Sequence, residues 1–507
     1  MTTSTGDDRP NIVVIQADQL AAQALGAYGN STVQSPHMDA LADEGVVFDR
    51  AYCNSPLCAP SRASMMTGEL PSTIGGYDNA ADFGASVPTF AHQLRTAGYY
   101  TSLIGRMHFI GPDQLHGFEE RLTTDVYPAD LDMVPDWDLP DHERLQWYHE
   151  ADSVFTAGVS TATVQRDFDD DVIFRTLRFL NDRVRARDDQ PFLLVTSFIH
   201  PHDPYEPPME HWRRYDDIEI DTPRVPTMDP DDLDPHSRRL LTLCGLDERT
   251  PTAQEVQHAR RAYYACVSYV DDQVGRIVER LEELGLRENT VIIVTADHGD
   301  MLGERGLWYK MSPLEQSARV PLIVNAPGRF APRRVDNTVS LVDLAPTLVE
   351  LAEGQPRPGA GSSLLTLVSG GDNGPDEAVI EYLAEGVTAP QITLVRGRHK
   401  LIVCPTDPDL LFDVVADPDE LVNLVDDPSC SDVLAELRAE IDRRYDFAAL
   451  EAQVRESQQR RLYVQQALAR GAATSWEHVP VDPTRYVRGD FWTALNTGRI
   501  MPVHEPD

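Results

Sequence analysis

The sequence predicts an α/β fold: a large mixed, mostly parallel sheet sandwiched by helices, with a smaller C-terminal α+β unit carrying antiparallel strands. Three observations predict it. Apolar runs of strand length end abruptly in carboxylate or histidine, as buried parallel strands do. These runs alternate with segments whose apolar residues recur at helical spacing, the pattern of a sheet covered on both faces. A Gly/Pro-rich stretch at 354–377 then separates this alternation from a hairpin-like pattern.

Along the chain, "NIVVIQAD" (11–18) reads as the first buried strand. A helix from Met38 to Glu44 and a strand follow in "PHMDALADEGVVFDRAYC". A second helix spans about Thr89 to Ala97, with Gly98 as its C-cap, and leads to the strand "YTSLIG". "DVIFRTLRFLNDRV" is an amphipathic helix, and "PFLLVTSFIHPHDPY" a strand running into a histidine-bearing loop. "ARRAYYACVSYVDDQVGRIVERLEELGL" is a long helix, "NTVIIVTADHGD" another buried strand, and "VPLIVNAP" and "VSLVDLAPTLVELA" add a strand and a helix. Beyond the loops, "QITLVRGRHKLIVCP" predicts a hairpin turning at Arg396-Gly397-Arg398, then one helix over "SDVLAELRAEIDRRYDFAALE" and another around 451–470. The expected organisation is a flexible N-terminus (1–10), a large α/β domain (11–377), an α+β subdomain (378–470) and a loop-like tail (471–507). The tail holds Trp476, Phe491 and Trp492, and such rings are expected to pack on the same or a neighbouring subunit.

The 507 residues carry 82 acidic and 44 basic side chains, a net charge of −38. Such a surface repels nucleic acid and anionic membranes, so neither is an expected partner. The acidity fits a salty cytoplasm or an acidic drift in an arginine-using genome. Only Lys310 and Lys400 are lysines, so each is expected to serve where arginine would not. No apolar window is long enough to span a bilayer, and "MTTSTGDDRPNIVVIQAD" has neither the basic region nor the apolar stretch of a secretory signal. Six irregularly spaced cysteines do not form a disulfide framework. A cytoplasmic location is expected.

Ligands of open α/β sheets gather beyond the carboxyl ends of the strands. Asp18, Gln19, His108, His200, His202, Asp297 and His298 all fall there. Asp18 with Gln19, and Asp297 with His298, close two separate strands and make a mostly oxygen donor set suited to Ca²⁺, Mg²⁺ or Mn²⁺. "CNSPLCAPSRASMMTG" (53–68) adds Cys58 and Arg62. Cys53 is taken as structural.

"CAPSR" (58–62) matches Cys-x-Pro-x-Arg, and with "NIVVIQADQ", "SPHMDALADEGVVFDRAYC", "MTGELPSTIGGYDN", "GRMH" and "TADHGDMLGERGLWYKM" the chain resembles the type I sulfatases of the alkaline phosphatase superfamily over roughly residues 10 to 470. Within that family it is most similar to the choline sulfatases, through "AYCNSPLCAPSRASMMTGELPS", "GPDQLHGFEERLTTDVYPADL" and "HPHDPY". The resemblance implies an alkaline phosphatase-like fold and conversion of Cys58 to formylglycine by a formylglycine-generating enzyme. The hydrated aldehyde, held by a divalent cation with Ca²⁺ favoured, would attack sulfur and later release sulfate by re-forming the carbonyl. Asp18, Gln19, Cys58, Asp297 and His298 would hold the ion. Arg62 would offset charge at the hydrate, and His108 would accept its proton. His202 and Lys310 would bind sulfate oxygens and protonate the leaving alcohol, while Asn79 would donate to the transferred group; His200 is taken as a neighbour.

Two departures stand out. The family's usual lysine, two residues before the motif histidine, is Arg106 here. Met133 stands near where choline sulfatases place a tryptophan against their quaternary ammonium, so Trp137 or Tyr127 would have to supply the ring, with Glu385 as acidic partner. The expected activity is hydrolysis of a small organic sulfate ester, choline sulfate above others, by a homo-oligomer (dimer or tetramer). The rivals are a phosphonate or phosphate ester hydrolase with the same chemistry, and a non-catalytic binding protein with unmodified Cys58.

Overall fold

The computed structural model describes residues 9–139, 150–186, 189–387, 389–472 and 475–480. Its large sheet is built from β1 (Asn11–Asp18), β2 (Val46–Tyr52), β3 (Tyr100–Gly105), β4 (Glu120–Arg121), β5 (Phe192–Pro201), β6 (Thr290–Ala296), β7 (Arg319–Val320), β8 (Leu322–Asn325) and β9 (Arg333–Ser340). The order is β4-β3-β5-β1-β6-β8-β2-β7, with β9 on β2. β1 lies parallel to β5 and β6, β3 to β5 and β4, and β2 to β9. Only the pairings of β8 with β6 and β2, and of β7 with β2, are antiparallel. β1, β5 and β6 are buried at every position, which requires cover on both faces and explains their unbroken apolar runs.

The principal helices are α1 (Pro36–Asp43), α2 (Cys58–Thr67), α3 (Phe90–Thr96), α4 (Val164–Ala186), α5 (Ala253–Glu283) and α6 (Leu344–Leu351). Local chemistry sets their ends. Pro36 opens α1, where a missing N–H costs nothing. Thr89 with His92, and Thr252 with Glu255, form capping boxes on α3 and α5. α2 starts at Cys58 itself and stops at Gly68, whose φ of 73° is the left-handed conformation that glycine adopts without penalty.

A second sheet of β10 (Glu377–Tyr382), β11 (Gln391–Arg396), β12 (His399–Val403) and β13 (Leu410–Asp413) is antiparallel throughout, in chain order. Its hairpin turn is shorter than the sequence predicts. Arg396 still pairs with His399, so only Gly397 and Arg398 make the turn. The C-terminal helices also divide earlier than expected, into α7 (Ser431–Arg444) and α8 (Phe447–Leu468). Asp446 is the cause: its side chain caps the N–H of Ala449 and starts a new helix. Asn54 joins the two sheets, donating to Ser340 Oγ and to the carbonyl of Val379, while its own carbonyl accepts from Glu381. The tail residues Phe491 and Trp492 lie outside the described residues.

Candidate active site

Strand register assembles the centre. Ala17 pairs with Ala296, so Asp18 and Asp297 leave neighbouring parallel strands side by side. Asp18 also pairs with Pro201, between His200 and His202. Two close approaches demand glycine. A Cβ on Gly105, where β3 turns toward Arg106, would lie 1.9 Å from Ser197 O, and one on Gly299 would lie 2.2 Å from Gln316 O. The second approach seats the loop bearing Lys310 against the end of β6.

One ligand atom each from Asp18, Cys58, Asp297 and His298 lies within 4.8 Å of the others, and all four residues are buried. Cys58 Sγ is 3.2 Å from His298 Nε2. His298 Nδ1 faces Gly299 O at 3.0 Å and must carry the proton, which leaves the Nε2 lone pair aimed into the cluster. Arg62 spans the two acids, with Nη2 2.8 Å from Asp18 Oδ2 and Nε 2.8 Å from Asp297 Oδ2. Its Nη1 is fixed by Arg106 O, Ser197 Oγ and Gln16 Oε1. Ser61 Oγ donates to the carbonyl of Asp297.

The residues present fit a divalent cation. Asp18 Oδ1 is buried and accepts no hydrogen bond from the described residues, although it lies 4.0 Å from His298 Nε2. Burial, with the charges of Asp297 and Cys58, pushes the Asp18 carboxyl up to about 7 against the pull of Arg106 and Arg62. Burial acts on Asp297 in the same direction, but Arg62, His298 and Arg106 overcome it and hold that carboxyl below its ordinary value. The unsatisfied Asp18 oxygen, with the Nε2 lone pair of His298 and the Asp297 carboxylate beside it, is a donor set that a divalent cation would complete.

Beside this cluster stand the other predicted residues. Arg106 Nη1 is 2.5 Å from Asp18 Oδ2, and its guanidinium lies 4.3 Å from the centre of the Tyr127 ring. His108 stacks on Tyr127 at 5.3 Å, and His202 lies 6.0 Å from the same ring. Burial and then Arg106 hold His108 well below its ordinary pKa, while burial and then Lys310 do so for His202, so both rings are neutral at pH 7. His202 Nδ1 donates to Asp203 O, and its Nε2 accepts from Lys310 Nζ. Asn79 Oδ1 accepts from the backbone N of Ala59 at 3.0 Å, next to Cys58.

Gln19 stands at the centre's edge. Its backbone N donates to Asp297 Oδ1, its Oε1 accepts from Lys310 Nζ at 2.8 Å, and its Nε2 donates to Asp300 and Asp203. His200 turns away toward Asp169, with Nδ1 2.7 Å from the carboxylate. Glu385 follows Ala384, whose carbonyl accepts from Trp137 Nε1 at 2.8 Å, so Trp137 is docked on the loop that carries this acid. Met133 packs with Ala80, Ile110, Leu131 and Val134.

Sequence reasoning missed Asp125, Asp300 and the position of Tyr127. Asp125 accepts from the backbone N of both Met107 and His108 and from Arg121. Asp300 accepts from Gln19 and Tyr205 through Oδ2 and from the backbone N of Leu302 and Tyr309 through Oδ1. Asp300 had a signal, as the last acid of "DHGD"; Asp125 had none.

A buried acid, imidazole and sulfur cluster at the carboxyl edge of a mostly parallel sheet, ringed by Arg62, Arg106 and Lys310, marks an enzyme of α/β fold whose site suits an anionic ester. The chain belongs to the sulfatase family: residues 10–354 match Sulfatase, and residues 303–446 match the C-terminal part of N-sulphoglucosamine sulphohydrolase. It is 44% identical over 492 residues to the choline-sulfatase of Rhizobium meliloti (strain 1021), covering 95% of this chain and 96% of that one. It is 28% identical over 446 residues to an arylsulfatase of Clostridium perfringens (strain 13 / Type A), covering 82% and 90%. Among solved structures it is similar to a phosphonate monoester hydrolase from Silicibacter pomeroyi, with a TM-score of 0.69 at 25% identity over 86% of this chain and 95% of that one. The chain is a sulfuric ester hydrolase with an alkaline phosphatase-like sulfatase fold.

Proposed function

We propose that this enzyme hydrolyses a small cationic sulfate ester, choline sulfate in the first place, and that Cys58 is used as formylglycine. The observation that carries the reading is the shared position of Cys58 Sγ, Asp18, Asp297 and His298 at one buried point. The thiol's neighbour there is His298 Nε2, 3.2 Å away, and an oxygen on the same carbon would stand among the side chains that would hold a cation. A divalent ion would supply Lewis acidity, and the hydrated aldehyde form of Cys58 a hydroxyl nucleophile whose second hydroxyl can later expel sulfate by re-forming the carbonyl, without hydrolysis of a stable ester.

The remaining residues divide the work. Asp18, Asp297 and His298 would hold the ion, with Gln19 beside them through its backbone N on Asp297. Arg62 keeps the two carboxylates in place through two ion pairs. Arg106, Lys310 and Asn79 donate to the oxygens of the sulfuryl group as charge builds on them. Lys310, hydrogen-bonded to His202, places a proton near the departing alcohol. Against its own burial, Lys310 is held above its ordinary pKa by the Cys58 thiol and then by Asp203, of which Asp203 remains once the thiol is converted. The His108 ring faces Arg106 Nη2 at 3.3 Å through Nδ1. A guanidinium only donates, so the ring proton sits on Nε2; acting as a base requires that contact to be exchanged. Support for the choline group comes from 44% identity to a choline-sulfatase and from buried Glu385 beside the loop contact of Trp137.

Turnover of choline sulfate, 4-nitrophenyl sulfate, a sulfated sugar and a phosphonate monoester is the test. Choline sulfate is expected to give the highest kcat/KM; a faster phosphonate would replace this reading with the rival one. Peptide mass over residues 51–62 should fall by about 18 Da relative to the thiol. An active preparation with an intact thiol would refute the role given to Cys58.

A further inference from the structure

The buried carboxylate of Asp300 takes four donors, two on each oxygen. Oδ1 accepts from the backbone N of Leu302 at 2.8 Å and of Tyr309 at 3.1 Å, and Oδ2 accepts from Gln19 Nε2 at 2.6 Å and Tyr205 Oη at 2.7 Å. Leu302 and Tyr309 have φ of 48° and 64°, a region that side chains avoid, so these bonds hold the path of the loop that leads to Lys310. On the other side of Lys310, the N–H of Met311 donates to the carbonyl of Pro56, two residues before Cys58. At the tip of the side chain, Lys310 Nζ donates to Gln19 Oε1 at 2.8 Å and to His202 Nε2. An ammonium carries three N–H groups. The third has no acceptor within hydrogen-bond distance among the described residues; Asp203 Oδ1 stands 3.9 Å away. Of the charged neighbours of Lys310, Cys58 acts on it most strongly.

Gln19 has two ends to its amide, and only the oxygen suits an ammonium. Asp300 makes the choice. An ionised carboxylate only accepts, so it draws Nε2 to its own side, where Asp203 Oδ1 accepts from the same nitrogen at 3.2 Å. Oε1 is thereby left toward Lys310. We propose that Asp300 is a positioning residue for the leaving-group proton: it fixes Lys310 at its tip, by orienting the Gln19 amide, and at its base, by holding the backbone of Tyr309. As the sulfur–oxygen ester bond breaks, its electron pair passes to the departing oxygen. That oxygen takes a proton from Lys310 Nζ and leaves as the alcohol; the neutral amine regains a proton from water before the next turnover. This rests on the sulfate-ester reading above and on the proton-donor role of Lys310 within it.

Asp300→Asn tests it with almost no change of shape. The backbone N–H groups of Leu302 and Tyr309 only donate, so the remaining oxygen must face them, and the new amide nitrogen then opposes Gln19 Nε2. Turning the Gln19 amide over relieves that contact only by setting Nε2 against Lys310 and Oε1 against Asp203. Full-length, modified enzyme is assayed on phenyl sulfate and 4-nitrophenyl sulfate, which differ chiefly in the basicity of the departing oxygen; 4-nitrophenolate leaves without a proton. Rates are compared as kcat/KM per bound divalent ion, which covers the steps up to ester cleavage. Asp300→Asn is expected to lose about tenfold more on phenyl sulfate than on 4-nitrophenyl sulfate, in the same direction as Lys310→Met. Gln19→Met, which removes the oxygen that Lys310 meets, should show the same imbalance. In the Lys310→Met background, Asp300→Asn should shift the ratio of the two substrates by less than about twofold, since the group it positions is gone. Equal losses on both substrates in Asp300→Asn, or in Gln19→Met where Asp300→Asn does not fold, would overturn the proposal, because a purely structural fault does not distinguish leaving groups. A Lys310→Met enzyme with no imbalance, or a wild type inactive on every sulfate ester, would instead bring down the reading on which it rests.

Discussion

Arg106 touches more of the centre than sulfate binding requires. Its guanidinium meets Asp18, His108 and the face of Tyr127 at once. Lysine offers a single ammonium on a flexible stem and cannot keep all three contacts. Arg106→Lys is therefore expected to fold normally and lose about tenfold in kcat/KM, a misplacement effect of the size one ångström produces. Arg106→Ala should lose more, since buried Asp18 would give up a cation that lowers its pKa. Steady-state kinetics on 4-nitrophenyl sulfate decide the matter, and wild-type kcat/KM in Arg106→Lys would count against the account. At this scale the sequence exposed residues whose chemistry is carried by a strand end or by the Cys58 segment: Asp18, Asp297, His298, Cys58 and Arg62. It hid Asp125, because an acid that serves two backbone N–H groups is recognised only once the loop's path is known. It hid the backbone too: Gln19, His108, Tyr309 and Met311 all have φ between 54° and 73°, a region side chains avoid, clustered around the site.

Among the elements, the second sheet is tied to the catalytic one by a charge. Lys400, on β12, is fully buried with Nζ 2.8 Å from Glu420 and 3.1 Å from Glu315. Glu420 in turn accepts from the backbone N of Glu315, on the segment that follows Lys310. Both lysines of the chain thus sit in buried polar clusters, which the near-absence of that residue type foreshadowed though neither set of partners was legible. Lys400→Met leaves two buried carboxylates without the cation between them and is expected to cost about 3–5 kcal/mol. Urea denaturation would register this as a lower midpoint; an unchanged midpoint would show that the pair contributes no stability. The strands of the large sheet were legible because burial on both faces writes itself as an apolar run. The division between α7 and α8 was not, because "RRYDFAALE" continues helical periodicity and only the Asp446 side chain reveals the new start. The ion pair made by α8 was equally hidden: Arg461 in the sequence is one arginine of a polar helix, and its partner Asp78 lies 383 residues away.

For the whole molecule, a net charge of −38 sets a penalty on compaction that depends on solution conditions. Raising KCl from about 0.1 M to 1 M shortens the screening length from about 10 Å to 3 Å, so the melting temperature should rise. A flat response would remove self-repulsion from the account. pH acts with a definite sign through buried acids outside the Asp18–Asp297 cluster. Burial pushes Asp271 and Asp343 from 3.8 up to about 7, despite the backbone N–H groups that favour their charged forms. The folded chain then takes up protons as pH falls through about 7, whereas the unfolded chain does so only near 3.8. The stability these groups contribute is fully present below the unfolded value and is lost as pH rises through the folded one. Asp125 works oppositely: Arg121 and His108 outweigh its burial and hold it below its ordinary value, so its contribution is lost only in strong acid. Buried histidines act with the opposite sign: His108, His116, His202, His211 and His236 are held below their ordinary values by burial, so from about pH 8 to pH 6 the unfolded chain takes up protons there that the folded chain does not. The contribution of the two acids is therefore read by difference: on going from about pH 8 to pH 6, the melting temperature of chelator-treated wild type should change more favourably than that of the Asp271→Asn and Asp343→Asn variants. Identical pH responses in wild type and variants would mean that these two carboxyls are ionised in the folded chain, and that their backbone donors outweigh their burial.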